Sequence, residues 1–296
     1  MKPYVVVNPK AGSAGDVEAL LKQLRRLNPR KLCLTKRAGE AGTFARDAVR
    51  AGCDYIIAAG GDGTLNEVIN GIAAPHRVRS VRIGMVPLGT ANDFARSLNL
   101  PASIEENIDN LSVKQTISVD LVRIMAQRTR YFINVSAGGF SRVVDEKLTP
   151  QMKSTWGPLA YLRSAAAALP ELHAYHSTIV FDDLERLLIE LYTVIVANGQ
   201  FVAGGLPVAP DASVCDGLFD VLLVPKRPAG EIVLLAAQML LGKHLSSGAL
   251  IFRRAKKLSV TSRPRMSFNV DGERFGNDPA IFEIVPSAVE FVIGKR

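Results

Sequence analysis

Four short apolar runs near the start, YVVV (4–7), KLCL (31–34), YIIAA (55–59) and RIGMVP (82–87), are separated by helix-length segments that include EALLKQLRRL and AGTFARDAVRAG. Strands spaced by whole helices build βαβ units, and those units assemble a parallel sheet. Residues 1–120 therefore read as a doubly wound α/β domain. After SVKQTISVDLVRI the texture changes. Strand-like stretches follow at RYFINVSAGG, STIVFDD, LLIELYTVIVANG, LFDVLLVP, KLSVTS, MSFNVDGE and AIFEIVPSAVEFVI, bounded by Gly, Pro and Asp turns, and they predict an antiparallel β-rich second domain. Two helices are expected to interrupt it, over 156–169 and 229–243.

A chain of 296 residues has room for two such domains and their cores. No apolar run approaches the roughly 20 residues needed to cross a bilayer, and the N-terminal run is too short for a secretory core, so the reading is cytoplasmic. Cys33, Cys53 and Cys215 lack CxxC spacing and fit reduced thiols. The four histidines have no cysteine or carboxylate cluster around them to suggest zinc. A net charge of +8, from 36 basic and 28 acidic residues, favours an anionic partner. Nucleic acid, a phospholipid surface and a phosphorylated ligand all satisfy that condition.

Three strand ends carry phosphate-friendly loops. In GGDGT, Gly60, Gly61 and Gly63 precede a helix marked by Leu65, Val68, Ile69 and Ile72. Glycines there let backbone N–H groups approach an anion at a helix N-terminus, although the same residues also suit a ligand-free tight turn. Neither GxGxxG nor a Walker GK[ST] is present. Asp62 would repel a phosphate unless a cation stands between them, so its presence predicts Mg²⁺. PLGTANDFAR (87–96) repeats the pattern with Thr90 as a donor and Asn92 and Asp93 at capping positions. NPKAGSAG (8–15) supplies Asn8, Lys10, Gly12 and Ser13. Far downstream, Asp271 and Glu273 of NVDGE flank a glycine that is first of all a hairpin signal, yet Asp271 is available to receive a hydroxyl proton.

NPKAG, GGDGTLNEVING, PLGTANDFAR, APDASVCDGLFDV (209–221) and NVDGE, in that order, resemble the bacterial diacylglycerol kinase and YegS-type lipid kinase family, relatives of sphingosine and ceramide kinases. The resemblance covers essentially the whole chain. It implies a nucleotide domain like that of NAD kinase and phosphofructokinase over 1–120, a β-sandwich over 121–280, and a return to the first domain over 281–296, with ATP in the interdomain cleft. Implied nucleotide contacts are Asn8, Pro9, Lys10, Ala11, Gly12, Thr35, Gly60, Gly61, Asp62, Gly63, Thr64, Leu65, Asn66 and Thr90, of which Thr35 lies in a loosely matching segment. Asp271 falls on the catalytic base, with Glu273 beside it, and Asp62 and Asp120 fall on the carboxylates around a catalytic Mg²⁺. A structural metal, Mg²⁺ or Ca²⁺, is implied at Ser213, Asp216 and Leu218.

The expected activity is transfer of the γ-phosphoryl group of ATP to a lipid hydroxyl, diacylglycerol first, with phosphatidylglycerol or another lipid alcohol as the alternative acceptor. Relatives commonly form homodimers, and peripheral attachment to the inner face of an anionic membrane is expected. Two rivals stay open. One is an NAD kinase-like enzyme, which shares GGDGT. The other is a catalytically silent module that binds anionic membrane through the basic run FRRAKKLSVTSRPR (252–265); nucleic acid is not the expected partner, because no RNP motif, zinc finger or helix-turn-helix signature accompanies that run.

Overall fold

A computed structural model describes residues 2–12, 14–73, 81–113, 115–140, 163–164 and 167–294. The chain divides into two compact units, Met1–Leu121 with Pro286–Arg296, and Val122–Val285. In the first unit the strands are β1 (Tyr4–Val7), β2 (Lys31–Leu34), β3 (Tyr55–Gly60) and β4 (Arg82–Pro87), and the helices are α1 (Val17–Leu24), α2 (Glu40–Arg50), α3 (Asp62–Ala73), α4 (Asp93–Ser97) and α5 (Ile104–Val113). Pairing is parallel throughout: β1 lies between β2 and β3, and β4 follows β3. Every residue of β1 and β3 is buried, as expected of strands covered by helices on both faces.

Glycine sets how closely α2 and α3 pack. A Cβ on Gly71 would stand 2.2 Å from the Gly42 carbonyl oxygen, and one on Gly42 would stand 2.9 Å from the Glu67 carbonyl oxygen. The same close approach lets the Glu67 carboxylate accept from Gly39 N at 2.8 Å and Ala41 N at 3.1 Å. It thereby closes the N-terminus of α2, whose own cap residue, Gly39, is left-handed and has no side chain to do so.

The second unit is built from β5 (Thr116–Met125), which enters from the first unit, then β6 (Thr129–Phe132), β7 (Val135–Gly139), β8 (Tyr175–Phe181), β9 (Glu185–Ala197), β10 (Phe201–Val202), β11 (Leu206–Pro207), β12 (Phe219–Pro225), α6 (Ala229–Leu240), β13 (Ile251–Ala255), β14 (Lys257–Arg263), β15 (Ser267–Val270), β16 (Glu273–Asn277) and β17 (Ala280–Val292). Its strands pair antiparallel in the order β16, β15, β7, β9, β8, β14, β17, with β12 joining β9 to β13. The core gathers Phe132, Phe219, Phe268 and Phe282 with Val194, Val196, Leu258 and Val260. The helix expected over 156–169 falls mostly on residues outside those described.

β17 serves both units. Its residues 280–283 pair antiparallel with β14, and Glu290 and Phe291 pair parallel with β4, completing the first unit's sheet. Ser287 lies between these stretches with a φ of +48°, and its N–H donates to Asp120 Oδ1 at 2.7 Å.

Three of the six basic residues in the run at 252–265 are ion-paired, while Lys256, Arg263 and Arg265 are exposed. Arg253 pairs with Glu185, Arg254 with Asp216 and Asp220, and Lys257 with Asp183. Strand pairing brings these carboxylates across from other parts of the sequence.

Candidate functional site

Three loops meet at the carboxyl ends of β1, β3 and β4, where open parallel sheets place their ligands. Asn8 N donates to Ala59 O at 2.9 Å and Leu88 N to Gly60 O at 2.9 Å, so each loop is tied to its neighbour as it leaves the sheet. Gly61 and Gly89 are pressed backbone to backbone: a Cβ on Gly89 would stand 2.6 Å from the Gly61 Cα. A Cβ on Gly12 would stand 2.6 Å from Thr90 Oγ1, which brings the first loop against the third. Thr64 is buried beneath this junction, with Asn8 Nδ2 donating to its hydroxyl at 3.4 Å.

Asp62 is the brace between the second and third loops. Its carboxylate accepts from Asp93 N at 3.0 Å and Phe94 N at 3.1 Å, so it caps α4 from a distance. The local cap position, Asn92, is left-handed and turns its side chain back to Gly89, accepting from Gly89 N at 2.9 Å and donating to Gly89 O at 2.7 Å. Burial pushes the Asp62 carboxyl up from its ordinary range, opposed by N–H donation from Phe94 and Asp93.

The candidate nucleotide residues divide by exposure. Lys10, Gly12, Gly63 and Thr90 are exposed and form the open rim of the cradle. Pro9, Ala11, Gly61 and Asp62 are half-buried. Thr35 is buried at the end of β2, its N–H donating to Val7 O at 2.8 Å. Leu65 and Asn66 turn inward: Leu65 is core, and Asn66 Oδ1 accepts from Asn70 Nδ2 at 3.2 Å. Only backbone atoms of these last two remain suited to a ligand.

In the second unit, Asp271 occupies the β15–β16 turn with a φ of +44°. Its Oδ1 accepts from Asn134 N at 3.2 Å and Val135 N at 3.0 Å, and its Oδ2 accepts from Ile133 N at 3.3 Å. Asp271 N in turn donates to Val135 O at 2.9 Å. The β6–β7 turn thus fixes the carboxylate without a single side-chain donor among these contacts. Glu273 pairs with Arg130 at 2.6 Å. Asn134 Nδ2 donates to Phe201 O at 2.9 Å, joining the β10–β11 hairpin to the same turn.

The metal expectations divide as well. A Mg²⁺ accompanying nucleotide phosphates needs only one or two protein carboxylates. Asp62 fits that demand: it is a half-buried carboxylate at the cradle, and a cation would offset the burial that disfavours its charge. Asp120 is 1% exposed, and its Oδ1 accepts from Ser287 N. At the second expected site, Asp216 Oδ1 accepts from Leu218 N at 3.0 Å while Oδ2 pairs with Arg254, and Ser213 Oγ accepts from Cys215 N at 3.4 Å. The donors expected there are the Ser213 and Leu218 backbone carbonyls with the Asp216 carboxylate, an oxygen set that a hard cation accepts, and Arg254 would compete with the cation for that carboxylate. Among the described residues, no three His, Cys, Asp or Glu side chains cluster as a metal site.

Residues 2–124 match the model of the diacylglycerol kinase catalytic domain, and residues 134–293 match that of the YegS C-terminal NAD kinase beta sandwich-like domain. A diacylglycerol kinase of Staphylococcus haemolyticus is 37% identical over 252 residues, covering 84% of this chain and 73% of that one. The chain belongs to the diacylglycerol kinase family. A second diacylglycerol kinase, from Staphylococcus epidermidis, is 36% identical over 265 residues, covering 88% of this chain and 81% of that one. A Bacillus anthracis crystal structure, described as a candidate diacylglycerol kinase, superposes with a TM-score of 0.84 over 99% of this chain and 95% of that one, and at 23% identity it shows the shared fold. The family expected from the five ordered motifs is the one found, and its two-domain architecture of α/β domain plus β-sandwich is present.

Proposed function

We propose that this chain is an ATP-dependent lipid kinase that phosphorylates diacylglycerol to phosphatidic acid. The observation that carries this reading is the three-loop cradle, with its exposed Lys10, Gly12, Gly63 and Thr90, in a chain of this family. Backbone N–H groups of the loops and the N-terminus of α3 would bind the phosphates, and Lys10 would add a positive charge. Mg²⁺, held by Asp62 with the phosphates, would supply neutralisation of their charge. Asp271 would take the hydroxyl proton as the acceptor oxygen bonds to the γ-phosphorus and the bond to the departing ADP oxygen breaks. Among the described residues no helix is long and apolar enough to cross a membrane, so the lipid would be met by peripheral attachment.

The test is incubation with Mg·ATP and diacylglycerol, phosphatidylglycerol or a sphingoid base, followed by identification of the phosphorylated product. Asp271→Asn should lower kcat by about 10²–10⁴-fold with the KM for ATP nearly unchanged. Turnover close to that of the parent protein would remove Asp271 from the reaction. Failure of all three acceptors would remove the kinase reading.

A further inference from the structure

The second unit exposes two pairs of leucines. Leu184 and Leu188 lie on the β8–β9 hairpin, 89% and 75% exposed, and Leu234 and Leu241 lie on α6 and at its C-cap, 58% and 71% exposed. Their surroundings differ. Leu184 sits within DDLER, so pressing it into an apolar phase would strip water from Asp182, Asp183, Glu185 and Arg186 together. On α6 the run IVLLAAQMLLG, residues 232–242, contains no charge at all. Leu234 and Leu241 stand seven residues apart, on one helical face, with Arg227 and Lys226, the latter paired with Glu190 at 3.1 Å, before the helix and the exposed Lys243 after it. Glu231 is the acid on the helix, and it is paired with Arg227 at 3.1 Å.

The inner face of α6 leads toward the catalytic candidate. Met239 packs in one cluster with Val135 and Ala197, and the Val135 N–H is donated to Asp271. Ile232, Leu235 and Ala236 pack with Phe140, at the far end of β7 from Val135. One helix therefore shares core clusters with both ends of the strand whose first residue donates to Asp271, and presents uncharged leucines followed by Lys243 on its other side. We propose that the outer face of α6 docks on an anionic lipid surface, with Leu234 and Leu241 entering the interfacial layer and the exposed Lys243 meeting headgroups; the proposal rests on the lipid kinase reading. An apolar helix face bordered by lysine is the pattern that holds a peripheral protein in the plane of an interface.

The experiment uses the full chain. Sedimentation with vesicles of equal phosphatidylglycerol and phosphatidylcholine compares the parent, the Leu234→Glu/Leu241→Glu double variant, and a Leu184→Glu/Leu188→Glu control. Parent-like thermal melting verifies that each variant is folded. The α6 variant should bind at least ten-fold more weakly, the hairpin variant should bind as the parent does, and Lys243→Glu should weaken binding to anionic vesicles only. Activity of the α6 variant toward a water-soluble short-chain diacylglycerol should match the parent, while activity toward vesicle-borne diacylglycerol should fall with binding. Unchanged vesicle binding, equal loss in the hairpin variant, or a halved mass by light scattering, which would give the face to a second copy, would each overturn the proposal. A parent protein that binds vesicles through α6 but phosphorylates no short-chain acceptor would overturn the kinase reading and leave the docking face standing.

Discussion

Gly63→Ala separates the demands of the fold from those of a ligand. Gly63 is the second residue of α3, its φ lies outside the left-handed region, and a Cβ built on it meets nothing within 4 Å. Alanine should therefore fit and, by restricting the unfolded chain, stabilise the protein by up to about 1 kcal/mol. A phosphate accepting from N–H groups of this turn would sit about 2.9 Å from their nitrogens. A methyl group in that space displaces it by roughly an ångström, and such a misplacement costs on the order of 10²-fold in rate. Loss of one charge-assisted hydrogen bond, about 1.5–3 kcal/mol, independently predicts about a 10- to 200-fold rise in the KM for ATP. Thermal melting and ATP titration at saturating lipid would measure both sides. A Gly63→Ala protein at least as stable as the parent and with unchanged ATP kinetics would show that no phosphate approaches this turn, and the cradle argument would fall.

Gly89→Ala should behave oppositely: with 2.6 Å to the Gly61 Cα and 2.7 Å to Asn92 Oδ1, the added methyl must part the loops, lowering stability by about 1–3 kcal/mol as well as activity. A melting curve like the parent's would show that the loops have slack. Asp62→Asn replaces one acceptor oxygen with a donor facing the N–H groups of Asp93 and Phe94, so a loss of about 1–3 kcal/mol in unfolding free energy is expected. If Asp62 also holds Mg²⁺, the concentration needed for half-maximal activity should rise at least about ten-fold; an unchanged requirement would leave it only the bracing role. Asp220 is 3% exposed, and burial pushes its carboxyl from 3.8 up to about 6 despite Arg254 beside it, with Asp216 and Asp211 adding to the rise. The folded protein then retains a proton that the unfolded chain has released between those values, so this group's contribution to stability declines as pH rises from about 4 to about 6. Asp220→Asn should gain relative to the parent over that interval by up to about 3 kcal/mol, and paired denaturant titrations giving a constant difference would contradict the assignment.

The fold was legible where its cause is local. Strand and helix periodicities carry their own signal, and glycine before an amphipathic run marks a strand-to-helix turn wherever it occurs. The interactions that complete the site are not local. Asp271 could be placed in a hairpin from Asp-Gly alone, but its donors are backbone N–H groups 136 to 138 residues away, and a backbone donor has no residue type to recognise. Glu67 reads as an ordinary helix acid until α2 is seen against α3. Arg253, Arg254 and Lys257 read as free surface charges because their carboxylate partners are distant in sequence.

The glycines of GGDGTLNEVING show most clearly what a motif leaves unresolved. Gly61 and Gly71 are required by neighbouring backbone, the first by Gly89 and the second by Gly42, and both would be required if no nucleotide ever bound. Gly60 is held by the side chain of Thr64, which a Cβ would meet at 2.4 Å. Gly63 has open space where its side chain would be and no conformational need to lack one. A fold-based account explains the first three and fails at the fourth. A phosphate approaching this turn would account for the fourth, and Asp62 beside it, engaged with α4, would then brace the turn while presenting a carboxylate to a cation.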